Sequence, residues 1–214
     1  MGFLRNFRIK IGLKKAPESR PTYIRPPNIH APVDVGEVVG GKFDRRPDIT
    51  RLLPMGGIGI ELGVAKGWFS HQILANSRLD HLFSVDRWAG DRGHDVSEYK
   101  DALRLLLPYK ERSTCLRMLF SEALDLFPDG YFDFIYIDGY AHTGQEGGET
   151  LKSWWPKLKV GGLFAGDDYG PDWPLVMQEV DSFAFEHGLE CMTLTPKVVE
   201  SELSHYPSWL AFKR

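Results

Sequence analysis

The chain has 214 residues and a mass of 24.3 kDa, enough for one domain with extensions. With 43% apolar and 26% charged residues it is not globally disordered, and a net charge of −3 gives no reason to expect nucleic acid as the main partner. No apolar run approaches the roughly 18 residues of a membrane span, and charges interrupt residues 1–15 too often for a secretory signal, so a cytoplasmic protein is expected.

The two cysteines, Cys115 and Cys191, lie in apolar runs and form no C-x-x-C pair. A disulfide framework or structural zinc site is not expected, and a reducing compartment is the simpler reading. Charge is unevenly spread. Residues 1–30 carry seven Lys/Arg against Glu18, a local +6 that leaves −9 for the remainder.

Residues 1–50 alternate apolar and basic residues, then collect prolines at 17, 21, 26, 27 and 32. This pattern predicts a basic, proline-rich arm preceding a domain at 51–214. The arm either touches an anionic membrane surface weakly or folds over its own domain or a neighbouring subunit of a homo-oligomer.

From residue 56 onward, short apolar runs alternate with helical stretches. Strands are predicted at 57–62, 81–86, 113–120, 132–138, 161–168, 189–194 and 208–213. Helices are predicted at 67–77, 97–109, 121–127, 147–158 and 174–188, the last opened by Pro174 and stopped by Gly188. Trp154, Trp155, Phe183 and Phe185 fall at helix spacing and read mostly as core. The fold expected is α/β: a Rossmann-like, doubly wound, mostly parallel seven-stranded sheet with helices on both faces. The last two strands are joined without a helix, so one antiparallel strand is expected near the C-terminus.

In such a sheet ligands bind beyond the carboxyl ends of the strands. Those ends are unusually acidic here, carrying Glu61, Asp86, Glu122, Asp138, Asp167 and Asp168. The first is followed by "ELGVAKG", which places Gly63 and Gly67 in a turn where backbone can approach a ligand. The turn lacks G-x-G-x-x-G, which argues against a nicotinamide dehydrogenase, and the chain has no P-loop. Asp86, about twenty residues further on, is placed to accept hydrogen bonds from the two ribose hydroxyls of a nucleoside, or else to cap a helix. A nucleoside without phosphates fits S-adenosylmethionine, its adenine beside Phe120, Ser121 and Glu122 and near Trp88, its methionine part over Gly63.

These features resemble the class I S-adenosylmethionine-dependent methyltransferases. "FDFIYIDGYAHTGQ" and "WWPKLKVGGLFAGDDYG" are similar to the branch containing the macrocin- and mycinamicin-type sugar O-methyltransferases, over about residues 50–214. The resemblance implies that Asp138, Asp167 and Asp168 hold a divalent cation, usually magnesium. Neighbouring strands about 4.8 Å apart would let the three carboxylates converge on one ion; capping of a turn by Asp167 and Asp168 is the alternative. His142 follows Asp138 by four residues, and three roles stay open for it: general base, substrate contact and loop anchor. Asp91, Arg92, His94 and Asp95 form a polar loop on the same side.

The expectation is a metal-assisted O-methyltransferase using S-adenosylmethionine and Mg2+, acting on a hydroxyl of a sugar or sugar-bearing small molecule, with His142 and Asp138 as catalytic residues. The alternatives are a metal-independent enzyme with His142 as base, and a non-catalytic nucleoside-binding adaptor docked through the basic arm.

Overall fold

The computed structural model describes residues 22–90, 93–139, 146–198 and 206–214. Eight strands form one sheet: β1 (Val33–Asp34), β2 (Ile58–Leu62), β3 (His81–Asp86), β4 (Ser113–Arg117), β5 (Phe132–Ile137), β6 (Leu158–Gly166), β7 (Met192–Leu194) and β8 (Ser208–Phe212). Their order is β1-β7-β8-β6-β5-β2-β3-β4, with β8 antiparallel to both neighbours and every other pairing parallel. Among the described residues six α-helices accompany them: α1 (Val35–Val39), α2 (Trp68–Asn76), α3 (Val96–Leu106), α4 (Phe120–Leu124), α5 (Glu149–Trp154) and α6 (Pro174–Glu186).

The central strands are apolar on both faces because helices cover both. One core layer joins Ile60, Leu62, Ile135, Ile137 and Phe164 to Leu151, Trp154, Val180 and Phe183 of α5 and α6. The other joins Tyr136, Leu163, Ala165 and Leu210 to Phe69, Ile73 and Leu74 of α2. Trp154 and Phe183 are buried and Trp155 packs against them, as their spacing predicts, whereas Phe185 is 55% exposed. A register shift between Phe132 and Phe134 lets these two residues, two apart, serve opposite layers.

The N-terminal segment supplies the eighth strand. β1 pairs with β7 at the sheet edge, and a 3-10 helix at Arg46–Leu52 lies against α2. Asp48 closes the start of that helix by accepting the amides of Asp44 and Arg45, each at 3.0 Å. Further upstream, Arg25 Nε donates to Asp181 of α6 at 2.7 Å, and Tyr23 donates to the same carboxylate at 2.8 Å. The described part of the arm, residues 22–50, is thus packed on its own domain. Residues 1–21, which carry most of the expected basic patch, lie outside the described residues. No helix among the described residues is long and apolar enough to cross a membrane, and both cysteines are free thiols.

Candidate active site

Strand order reverses between β2 and β5: from β2 the chain winds outward through β3 and β4, from β5 through β6. A crevice at such a switch point is where this architecture binds ligands. The backbone comes close there. Asp138 N donates to Leu62 O at 2.7 Å, and a Cβ on Gly63 would lie 2.0 Å from Asp138 O. Only glycine tolerates that approach, and its φ of 98° is one side chains avoid. Above the junction opens a cavity of about 730 Å3, within the range of small-molecule sites.

One side of the cavity is built by the turn after β2. Asp86 Oδ2 accepts the amides of Val64 and Ala65 at 2.9 and 3.0 Å, and Oδ1 accepts that of Trp88 at 3.1 Å. Asp86 therefore shapes the turn as well as facing the cavity, and a carboxylate has acceptor sites left for a ligand. Glu61 is 1% exposed and takes a short hydrogen bond from Ser70 Oγ, which lies 2.9 Å from Ser84 Oγ. Burial pushes its carboxyl well above the usual 4.5, against the opposing pull of the Ser70 hydrogen bond. Gly63, Ala65, Phe120 and Ser121 also line this side.

Three expected donor contacts do other work. Gly67 does not line the cavity; it starts α2 at φ 82°, where a Cβ would sit 3.0 Å from Ala102 Cα, so it serves the approach of α2 to α3. Glu122 does not line it either, because its carboxylate turns back to accept Leu119 N at 2.8 Å and caps its own helix. Trp88 reaches the wall but is 0% exposed; its indole N–H donates to Ala65 O at 2.8 Å and its ring packs on Tyr99. It supports the turn from below.

Among the described residues, three non-glycines hold left-handed backbone: Ala65, Trp88 and Asp168, with φ of 48°, 45° and 63°. All three line this one cavity. Strained backbone gathers where a site must be held in shape.

The opposite wall holds Asp138, Asp167 and Asp168, brought together by adjacent β5 and β6 as expected. Their partner is a surprise. Arg46, 1% exposed, donates from Nη1 to Asp138 Oδ2 at 3.0 Å and from Nη2 to Asp167 Oδ2 in a shorter contact. Its guanidinium carbon lies 5.5 Å from the Phe69 ring centre. A divalent ion needs carboxylate oxygens converging at about 2.0–2.6 Å, and here those of Asp138 and Asp167 meet a guanidinium instead. The donor set does not fit Mg2+, and no group of three or more His, Cys, Asp or Glu among the described residues is arranged for a metal. At the expected magnesium site the described side chains form an ion-pair cluster around Arg46, which does not support that expectation. Sequence reasoning missed Arg46 altogether, because nothing local marks a partner 92 and 121 residues away.

Aromatic Trp68, Trp173 and Tyr206 complete this wall, with Glu146 just before α5 and Glu149 at its first position. His94 lines the cavity and lies 2.7 Å from Glu98, while Asp95 caps α3. His142, Asp91 and Arg92 lie outside the described residues.

Residues 60–169 match the model of a family described as a methyltransferase domain. An uncharacterized protein of Sinorhizobium fredii, y4gI, is 30% identical over 108 residues, covering 46% of this chain and 12% of that protein's length. In structure the chain is similar to the precorrin 8W decarboxylase of Methanobacterium thermoautotrophicum, with TM-score 0.56, 18% identity, and 91% and 99% of the two chains covered. It is also similar to an O-methyltransferase of Bacillus cereus in complex with SAH, with TM-score 0.51, 15% identity, and 73% and 74% covered.

Proposed function

Because the chain belongs to the methyltransferase-domain family, we propose that it transfers the methyl group of S-adenosylmethionine to a hydroxyl of a sugar or sugar-bearing metabolite. The observation that carries this reading is one cavity with two unlike walls. The Gly63 turn and Asp86 face a carboxylate and aromatic surface across the switch point between β2 and β5.

The donor supplies a sulfonium-activated methyl whose carbon bonds to the acceptor oxygen as its bond to sulfur breaks and the electron pair stays on sulfur. Residues of this chain do the rest. Asp86 accepts the ribose hydroxyls, Gly63 gives the methionine part room against the main chain, and Phe120 and Ser121 flank the adenine. Burial raises the pKa of Glu61, which favours the uncharged carboxyl at this position.

On the acceptor side, Asp138, Asp167 and Asp168 accept hydrogen bonds from hydroxyls. Trp68, Trp173 and Tyr206 offer flat apolar faces to a sugar ring. Asp138, oriented by Arg46, takes the acceptor proton directly or through His142. This reading uses no divalent ion at the acceptor wall; the ion pairs of Arg46 with Asp138 and Asp167 support it.

The negative charge of this wall favours a second reading, in which a cationic amine is the acceptor. Among the described residues lining that wall, Asp138, Asp167, Asp168, Glu146 and Glu149 are acidic and Arg46 is basic. A panel of sugars and amines assayed for methylated product separates the two.

The test of the donor assignment is calorimetric titration with S-adenosylhomocysteine. Binding is expected to wild type and to weaken at least about tenfold in Asp86→Ala, which loses the ribose contact and the three amide hydrogen bonds that shape the turn. A wild type that does not bind removes the methyltransferase reading, and binding without turnover on any acceptor returns the chain to the adaptor alternative.

A further inference from the structure

Arg46 precedes the family-matched region, yet its guanidinium sits at the centre of the acceptor wall. It is delivered by the first residue of the 3-10 helix Arg46–Leu52, whose start is closed by Asp48 and stiffened by Pro47, with Thr50 Oγ1 donating to Pro47 O at 2.7 Å. The side chains of Arg46 and Asp167 are 1% and 4% exposed, so neither charge is relieved by water. A guanidinium is always protonated and presents a planar fork of donors. Its two terminal nitrogens reach different strands, one to Asp138 after β5 and the other to Asp167 after β6. That divides the strand-end carboxylates between the arms of one cation.

We propose that Arg46 is the resident cation of the acceptor site: it holds the position between the ends of β5 and β6 that a divalent ion would need, excludes such an ion, and orients Asp138 and Asp167 toward the acceptor. Its assignment to the acceptor rests on the methyl-transfer reading; its exclusion of metal does not. Arg46 is a positioning residue, acting through the two aspartates. Two cations cannot share the space, because a divalent ion a few ångströms from a buried guanidinium is repelled strongly in a medium of low dielectric constant. Without the guanidinium, Asp138, Asp167 and Asp168 would lose the cation that lies between the ends of β5 and β6 and would present an all-oxygen set of the kind Mg2+ and Mn2+ prefer. The arrangement also makes the acceptor wall depend on docking of the N-terminal segment, since the charge that organises it arrives from there.

The experiment is a manganese titration of the full chain followed by the paramagnetic resonance of free Mn2+. It compares wild type, Arg46→Gln, Arg46→Lys and the double variant Arg46→Gln/Asp167→Asn. Wild type and Arg46→Lys are expected to leave Mn2+ free up to millimolar concentration. Arg46→Gln should gain one site at least about tenfold tighter than anything in wild type, and the double variant should lose it. A merely structural arginine would create no such site. Stoichiometric Mn2+ uptake by wild type that Asp167→Asn abolishes overturns the proposal, as does the absence of a gain in folded Arg46→Gln, or an equal gain in Arg46→Lys. Should Arg46→Gln not fold, the wild-type titration with its Asp167→Asn control decides by the same criterion. S-adenosylhomocysteine calorimetry on the same samples keeps the two readings apart: failure there removes the methyl-transfer reading and leaves the metal result standing.

Discussion

The indole N–H of Trp88 donates a 2.8 Å hydrogen bond to the carbonyl of Ala65, and both residues hold left-handed backbone. This bond ties the turn after β3 to the turn after β2, the two loops that carry the donor side of the cavity. Asp86 adds three amide hydrogen bonds to the same junction. Trp88→Phe keeps an aromatic ring against Tyr99 but removes the N–H together with part of the indole, leaving a cavity at this fully buried position. The expected cost is about 2–3 kcal/mol of stability, with about fivefold weaker S-adenosylhomocysteine binding as Ala65 relaxes. Denaturant unfolding and calorimetry read the two effects separately, and unchanged affinity would show that the turn does not need this support.

Gly63 and Gly161 both have positive φ, 98° and 82°, but differ in surroundings. A Cβ at Gly63 would lie 2.0 Å from Asp138 O, whereas one at Gly161 meets nothing within 4 Å. Gly161→Ala should cost about 1–2 kcal/mol from backbone strain alone. Gly63→Ala must push β2 and β5 apart and should cost more than about 3 kcal/mol or prevent folding. Equal unfolding midpoints for the two variants would contradict the close approach at the switch point.

Glu61 makes stability depend on pH. Its folded-state pKa lies above the unfolded value, so between the two the native state holds the extra proton. Stability then falls as pH rises through that interval, by about 1.4 kcal/mol per unit, and is level below the unfolded pKa. Glu61→Gln keeps a partner for Ser70 and removes the titration. It should flatten this part of the profile and be more stable than wild type at pH 8. Parallel profiles for the two proteins would show that Glu61 is not the titrating group.

Asp181 anchors the N-terminal segment. Its carboxylate, 1% exposed, accepts from Tyr23, Arg25 and Tyr169, and Arg25 Nη2 also donates to Tyr169 Oη at 2.8 Å. Asp181→Asn removes the charge that holds Arg25 and should cost about 2–3 kcal/mol. Limited proteolysis should then cut faster between residues 22 and 33. Cleavage at the wild-type rate would mean that the β1–β7 pairing alone holds the segment.

Much of this architecture was legible along the chain because its causes are local. Apolar runs at 57–62 and 132–138 can only be buried strands, and Pro174 and Gly188 bracket a helix through their own backbone preferences. The antiparallel end of the sheet followed from the missing helix between the last two strands, and it appears as β8. The two-residue β1 was invisible, since Val33–Asp34 is too short to show a period.

The site divides along the same line. Sequence determined the types of residue at the strand ends, because a strand's last residue and the turn after it are set by chain order: Glu61, Gly63, Asp86, Asp138, Asp167 and Asp168 all reach the cavity. Tertiary structure decided what each one faces. Glu122 turns back on its own helix, Trp88 goes beneath the turn, Gly67 serves the contact of α2 with α3, and Arg46 crosses from the N-terminal segment to pair with Asp138 and Asp167. Electrostatic partnership depends on distance in space, and only the folded sheet brings residue 46 to the ends of β5 and β6.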